Sequence, residues 1–448
     1  MRYLLISIVA VLVYTSAIYA QPIYWTLEDC ISYAYKHNIS LKSAELDIKD
    51  KTVIVSEQKW NFSPSIYSSH GASISNGRVL DQTTYDYVEN KVVGSSSSSV
   101  SANINIFSGF RNYHNLKRAK LDLCLTLLSA EQIKDDLRLN ITAIFLEILY
   151  AKENIKITEQ IVNEIRIQAE KISIKIENGK ATIADLLQIK AQLSEAENNV
   201  IIAKRDYDLS RLNICQLLEI DDYTTFQVAD VQHYDYWAQT NIVPEIYMSS
   251  TIESIPKIQV AEKNITLAKY DLKIAKASYY PTISLSLGYG SNFSNARYKM
   301  FQNNDGSYRQ QLYPFVEQYK DNASSYISLS LNIPIFNKLM VQKDVQRKKI
   351  AVQRAEYALS QVKKQVMKEV REAEIEAKTA YAKFNSASQA VESANEAVRQ
   401  ITMKYELGIA SITDYNAVIT TQYKALSNLS QAKYEYIFKC KMLEYYAQ

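Results

Sequence analysis

Glycine and proline are scarce, nine and seven in 448 residues. Nearly all stand at boundaries, which excludes a chain of many short elements and points to few, long ones with short turns. No apolar run reaches the ~20 residues needed to cross a bilayer, so a helical membrane span is excluded. Four cysteines, Cys30, Cys124, Cys215 and Cys440, share no motif spacing and fall in expected helices. Buried small side chains account for them, although the spacing leaves open whether any bridge forms. Four histidines, His37, His70, His114 and His233, lie in different elements with no partner at metal-ligand or triad spacing. No glycine-rich phosphate loop is present. Neither a cofactor, a metal site nor an enzyme is expected. The net charge is only +3, with Lys and Arg spread along the chain, which argues against a nucleic-acid partner.

What the chain does have is length without interruption. From Asn337 to Gly408 neither Pro nor Gly intervenes. Val370, Ala373, Ala377, Ala380, Phe384, Ala387, Val391, Ala394, Val398, Ile401 and Tyr405 recur in alternating steps of three and four. That spacing keeps one stripe of an α-helix facing a partner. Charged and amide residues such as Lys368, Glu372 and Lys378 fill the other faces. About 70 residues at ~1.5 Å rise make a rod of roughly 100 Å.

The same rod occurs earlier. Subtracting 229 from each position gives Ile141, Ile144, Ile148, Ala151, Ile155, Thr158, Val162, Ile165, Ala169, Ile172 and Ile176, and only Thr158 breaks the pattern. Gly408 falls on Gly179, and Ala410-Ser411-Ile412-Thr413-Asp414 on Ala181-Thr182-Ile183-Ala184-Asp185. The chain is a tandem duplication. Upstream, Pro281 matches Pro64 and Ala261 matches Ala44 at an offset of 217 (281 − 64 = 261 − 44). The change of offset is read as a second half shorter by about a dozen residues between these prolines and the rods.

Residues 1–20 read as a secretory signal peptide, with Arg2, an apolar core from Tyr3 to Val13, and Ser16-Ala17-Ile18-Tyr19-Ala20 at the cut. Between the helical stretches the period changes to two. Ile283, Leu285, Leu287 and Tyr289 alternate with Ser and Gly; Ile327, Leu329, Leu331 and Ile333 with Ser and Asn; Val100, Ala102, Ile104 and Ile106 likewise. The strand after Pro64 is fainter, carried by Ile66, Ala72 and Ile74. Each is expected to be a strand of about 8–11 residues, long enough for a transmembrane strand, with a lumen-like Ser/Asn face. Polar, Tyr-rich loops are expected at 76–94 and 295–320. Four strands cannot close a barrel, so several copies are required, and three would supply twelve.

The expected layout is a signal peptide at 1–20 and a first repeat at 21–220, with a β-hairpin at about 65–106 and a long helical hairpin at 108–219. A linker or equatorial segment at 221–250 leads to a second repeat at 251–448, with a β-hairpin at about 282–333 and a helical hairpin at 337–446. This order, carried by Ala44 to Pro64, Ala261 to Pro281, Glu177-Asn178-Gly179 to Asp185 and Tyr405-Glu406-Leu407-Gly408 to Asp414, resembles the TolC-like outer-membrane efflux channel family. The resemblance covers essentially all of the chain after the signal. It implies a mainly α fold with transmembrane β: long helical hairpins in tandem plus two β-hairpins per chain, forming a trimeric twelve-stranded β-barrel and an α-helical barrel. It also implies a homotrimer in the outer membrane, in contact with its lipid and extending into the periplasm. The implied role is the passive exit duct of a tripartite efflux or type I secretion system. Its implied partners are a periplasmic adaptor (membrane fusion) protein and an inner-membrane pump of RND, ABC or MFS type. The alternative is an exported coiled-coil structural or adaptor protein without a pore.

Asp185 and Asp414 stand six residues past the turn glycines, Gly179 and Gly408. Thr182-x-x-Asp185 and Ser411-x-x-Asp414 both read as capping boxes. The resemblance implies a second role for these residues, lining a periplasmic aperture that Tyr405 helps to hold closed. The family's Arg near the second turn and a further Asp are replaced here by Ala410 and Ala417, and Lys180 is the expected substitute cation.

Overall fold

The computed structural model describes residues 24–80, 85–179, 181–229 and 255–447. The expected signal peptide, Lys180 and residues 230–254 of the linker region lie outside the described residues. The chain divides into two compact units. One is built from Met1–Asp47, Leu127–Val260 and Ser360–Gln448, the other from Ile48–Thr126 and Ala261–Leu359.

The helices repeat with no slippage. α1 (Leu27–His37) and α2 (Ile39–Trp60) open the chain; α3 (Arg111–Glu177) and α4 (Ile183–Leu218) follow. In the second half come α5 (Pro256–Ala277), then α7 (Met340–Glu406) and α8 (Ile412–Ala447), with a short α6 (Phe315–Asp321) among the strands. α3 and α7 are both 67 residues long, and α4 and α8 both 36, at a constant offset of 229 (340 − 111 = 447 − 218). α2 and α5 are both 22 residues, offset by 217 (256 − 39).

In the first unit, the three-and-four stripe is the buried face of each rod. Ile141, Ile148, Ala151, Val162, Ile165 and Ile172 are buried on α3, as are Val370, Ala373, Ala377, Ala380 and Ala394 on α7. α3 buries a second face where Phe145, Leu146 and Leu149 meet Cys30 and Ala34 of α1, Ile214 and Leu218 of α4, and Phe226. A single stripe read from periodicity does not contain that face. It exists because the chain just after α4 folds back onto the core. There Trp25 and Val228 pair as the parallel strands β1 (Tyr24–Trp25) and β4 (Gln227–Val228). Arg211 holds this turn, donating to the carbonyls of Phe226 (2.8 Å), Tyr223 (2.7 Å) and Thr224 (2.5 Å) while almost fully buried. A buried guanidinium is stable here because carbonyls satisfy its donors and Asp208 balances its charge at 3.1 Å. The four cysteines are free thiols, Cys124 half-buried and the others buried. Burial pushes the Cys30 thiol up to about 12 and Cys215 up to about 11, so both stay protonated and inert at neutral pH.

The second unit holds an antiparallel sheet of order β2-β3-β5-β8, with β2 Ser65–Leu80, β3 Tyr87–Ser108, β5 Thr282–Ser294 and β8 Ser324–Asn332. Three strands outrun the expected 8–11 residues: β2 has 16, β3 has 22 and β5 has 13. Part of the added length is Ser-rich chain, Ser95–Ser98, which has no apolar alternation to announce a strand. Most of the expected loop at 76–94 is therefore ladder, Ser73 pairing with Ser95 and Asn76 with Val92. The register gathers the apolar residues on one face: Val100 lies opposite Tyr289, Ala102 opposite Leu287, and Leu287 opposite Ile327. That face is open, with Ile327 at 79% and Leu329 at 67% exposure. The other face carries Ser284, Ser286, Ser328, Ser330 and Asn103, the Ser286 hydroxyl donating to Asn103 Oδ1 at 2.7 Å.

The second hairpin also corrects the length comparison. Pro281 to Phe336 spans 55 positions and Pro64 to Phe107 spans 43 (336 − 281; 107 − 64), so the second half is longer, not shorter. The extra chain falls in the expected loop at 295–320, which is folded. It forms a small hairpin, β6 (Tyr298–Gln302) and β7 (Tyr308–Leu312), followed by α6. Among the described residues, no helix is long and apolar enough to cross a membrane.

Candidate functional site

The tips of the helical hairpins carry the sequence-derived site. α3 ends at Gly179, whose φ of +71° is the left-handed conformation that glycine adopts without strain; its N–H donates to the Ile176 carbonyl at 2.9 Å. α7 ends in the same way at Gly408, φ +74°. There Ile409 N–H donates to Lys404 O (2.8 Å) and Gly408 N–H to Tyr405 O (3.1 Å), the paired bonds of a Schellman stop.

The return helices begin with matched capping boxes. Thr182 donates from its backbone N–H (2.9 Å) and its hydroxyl (2.7 Å) to Asp185 Oδ2, and Asp185 N–H donates back to Thr182 Oγ1 at 3.2 Å. Ser411 and Asp414 repeat the arrangement at 3.3, 2.7 and 3.1 Å. The hydroxyl and backbone donors favour the ionised acids, holding both carboxyls below the ordinary aspartate value of 3.8. Asp414 is exposed and Asp185 half-buried, so each presents charge to solvent while it caps.

Tyr405 is gripped through its ring. Lys175 Nζ stands 4.3 Å from its centroid, and the Tyr415 ring lies 5.3 Å away at 35°. Burial, then the Asp185 charge, pushes its phenol above the ordinary value. Tyr415 is anchored in turn by Gln168 Nε2, which donates to its hydroxyl at 3.1 Å. Gln188 Nε2 donates to Thr413 Oγ1 at 3.1 Å, tying α4 to α8. The structure thus brings Tyr405 and Asp185 together, seats Asp414 in its own cap, and adds Lys175, Tyr415 and Gln168. Lys180, the expected cation, lies outside the described residues; the cation seen on Tyr405 is Lys175. Its repeat equivalent is Lys404 (404 − 229 = 175), a match that does not point to Tyr405.

Beneath the tips, Ile161, Val162, Ile165 and Ile172 of α3 pack with Ile189 and Ala196 of α4 and Ile412, Tyr415 and Ile419 of α8. Both repeats therefore share one core, and their turns end on it. The family model described as outer membrane efflux protein matches residues 30–218 and 247–439, which takes in both helical hairpins and both tips. The chain belongs to the outer membrane efflux protein family.

Within that family, the chain is 20% identical over 396 residues to the alkaline protease secretion protein AprF of Pseudomonas aeruginosa, covering 86% of this chain and 76% of AprF. It is 21% identical over 305 residues to the outer membrane protein TolC of Vibrio cholerae, covering 68% of this chain and 66% of that protein, just under two thirds of its length. The CmeC outer membrane channel of Campylobacter jejuni has the same fold: TM-score 0.78 at 16% identity, over 94% of this chain and 85% of that one. The chain is thus a TolC-like outer-membrane protein of efflux or secretion, from a family of channels rather than enzymes.

Proposed function

We propose that the chain is the passive exit duct of a tripartite efflux or type I secretion machine, assembled as a homotrimer and powered from the inner membrane. The observation that carries this reading is the sheet: four strands with one open apolar face and one Ser/Asn face. Four strands leave unpaired edges, which a lipid bilayer does not tolerate, so copies must join, and three supply a twelve-stranded barrel. An apolar outer and a polar inner face suit a water-filled lumen in lipid. That favours a duct over an exported coiled-coil or adaptor protein without a pore, which needs no lipid-compatible sheet.

In this reading the helical hairpins reach into the periplasm and their tips form the aperture. A periplasmic adaptor engages the hairpins, and an inner-membrane pump of RND, ABC or MFS type drives the cargo. The secretion role in AprF's name makes an exported polypeptide one candidate cargo. The layout of signal peptide, two repeats and linker is part of the same proposal.

Asp185 and Asp414 are the aperture's charge and Tyr405 its latch, with Lys175 against its ring and Lys180 as the further cation beside the first turn. Three copies place about six carboxylates around the opening, where they attract cations. The test is conductance of the purified protein in planar bilayers. The parent is expected to prefer cations and to be blocked by trivalent ones, and the Asp185→Asn/Asp414→Asn double variant to lose both properties. A double variant that conducts and blocks like the parent would reduce the aspartates to caps.

A further inference from the structure

The chain added to the second hairpin, residues 295–323, is fastened to the apolar face of the sheet. On β5 that face runs Ile283, Leu285, Leu287, Tyr289, and its next two residues are Ser291 and Phe293. The register sets Ser98 of β3 opposite Ser291, and Ser96 opposite Phe293. α6 lies on this continuation. The Ser291 hydroxyl donates to the Tyr319 carbonyl at 2.7 Å, and the Tyr319 hydroxyl is 3.0 Å from Ser96 Oγ and 3.3 Å from Ser98 Oγ. The Phe315 ring stands 4.9 Å from Phe293 and 4.6 Å from Tyr319. These contacts cover the face immediately past Tyr289, at the strand ends away from the helices.

The covering element leaves its own apolar side open. Phe315 is 51% and Val316 62% exposed. In the hairpin, Tyr298 lies opposite Leu312 and Met300 opposite Gln310, which puts Tyr298, Met300 and Leu312 on one face with Tyr308. All four are exposed. The opposite face holds Phe301, Arg309 and Lys299, and Lys299 Nζ, 3.7 Å from Glu317 of α6, ties hairpin to helix. Tyrosines and a helix with an open apolar edge suit the zone where headgroups meet acyl chains, being half wet and half dry. The element continues a surface already suited to lipid, which is what makes lipid its occupant.

We propose that β6, β7 and α6 form a membrane-interface anchor, seated at the headgroup–acyl boundary of the leaflet reached by the strand ends away from the helices. The proposal rests on the reading that the sheet's apolar face meets lipid. The full-length protein is reconstituted in phosphatidylcholine vesicles containing lipid brominated either beside the headgroup or at the acyl-chain end. Tryptophan emission of Val316→Trp is compared with that of the parent chain, with Phe315→Trp as a second reporter and Leu329→Trp as a reporter of the sheet. The Val316 and Phe315 variants are expected to lose their added emission to bromine beside the headgroup more than to bromine at the chain end. Leu329→Trp is expected to be quenched by acyl-chain bromine. If Leu329→Trp is quenched and the other two stay solvent-like in both vesicles, the anchor is overturned while the sheet assignment stands. If Leu329→Trp escapes both lipids, the sheet assignment falls and the anchor with it.

Discussion

Gln318 meets Ser294 as a neighbouring strand would. Its side-chain Oε1 accepts from the Ser294 N–H at 3.0 Å and its Nε2 donates to the Ser294 carbonyl at 3.0 Å, with a further bond to the Tyr313 carbonyl at 2.7 Å. β8 pairs with β5 only as far as Gly290, so the end of β5 would otherwise present a bare edge. The fully buried Gln318 amide closes it at Ser294, and Asn322 Nδ2, donating to the Asn292 carbonyl at 2.8 Å, closes it one pair earlier. Gln318→Leu keeps the bulk and removes both partners, leaving buried backbone groups unsatisfied at a cost of about 1–3 kcal/mol. Limited proteolysis should cut the variant within residues 295–323 while the helical hairpins stay intact.

The grip of Lys175 on Tyr405 is a ring contact, which sets the order of effects among variants. Cation–π contacts at exposed sites contribute about 0.5–1 kcal/mol, so Lys175→Gln should raise the open-to-closed ratio by roughly two- to fivefold. Tyr405→Leu should match it, and Tyr405→Phe, which keeps the ring, should stay near the parent. Combining Lys175→Gln with Tyr405→Leu should add little, because both remove one contact. Single-channel open probability measures all four.

Acid should leave the helix caps at the tips intact over a wide range. Asp185 and Asp414 both titrate below 3.8 in the folded chain, held there by the Thr182 and Ser411 bonds. A lowered folded-state value means that their contribution is fully present above the unfolded value and is lost only as pH falls through the lower folded one. Hydrogen-exchange protection at the start of α4 and α8, corrected for intrinsic rates, should therefore persist down to about pH 3.8. Fraying at milder pH would mean that repulsion between the acids outweighs their caps. Thr182→Ala should fray α4 at neutral pH, by about 1 kcal/mol.

The rods were legible because their signal is long and periodic. Val370 through Tyr405 repeats the buried stripe often enough to fix the helix, its partner face and its copy at Ile141 through Ile176. The small elements were not. β6 and β7 carry no clean apolar–polar alternation over their five residues, and α6, at seven, is too short for a helical period to show. Ser95–Ser98 became strand through its partners across the ladder, not through its own pattern. At the tips, Asp185 and Asp414 were readable as caps from local spacing. Lys175 reaches Tyr405 across the two repeats, and no local spacing encodes such a contact.

Ala380 tests how full the α7 seam is. It is 1% exposed and packs on Tyr436 and Cys440, with Tyr381 and Phe384 alongside. Ala380→Leu inserts bulk into a closed layer and should destabilise by about 1–3 kcal/mol, seen as a lower thermal midpoint. Ala382→Leu, on the exposed side of the same turn, should leave that midpoint unchanged.

The two rods match in length to the residue, yet where α7 buries Ala373, Ala377 and Ala394, α3 carries Ile144, Ile148 and Ile165. A crossover between the two copies, which their shared register permits at the level of the gene, would hand α7 those isoleucines. The product would have every helix and turn in place and a seam too thick to close. The duplication is thus no longer interchangeable with itself: each half can be inherited, but neither can stand in for the other.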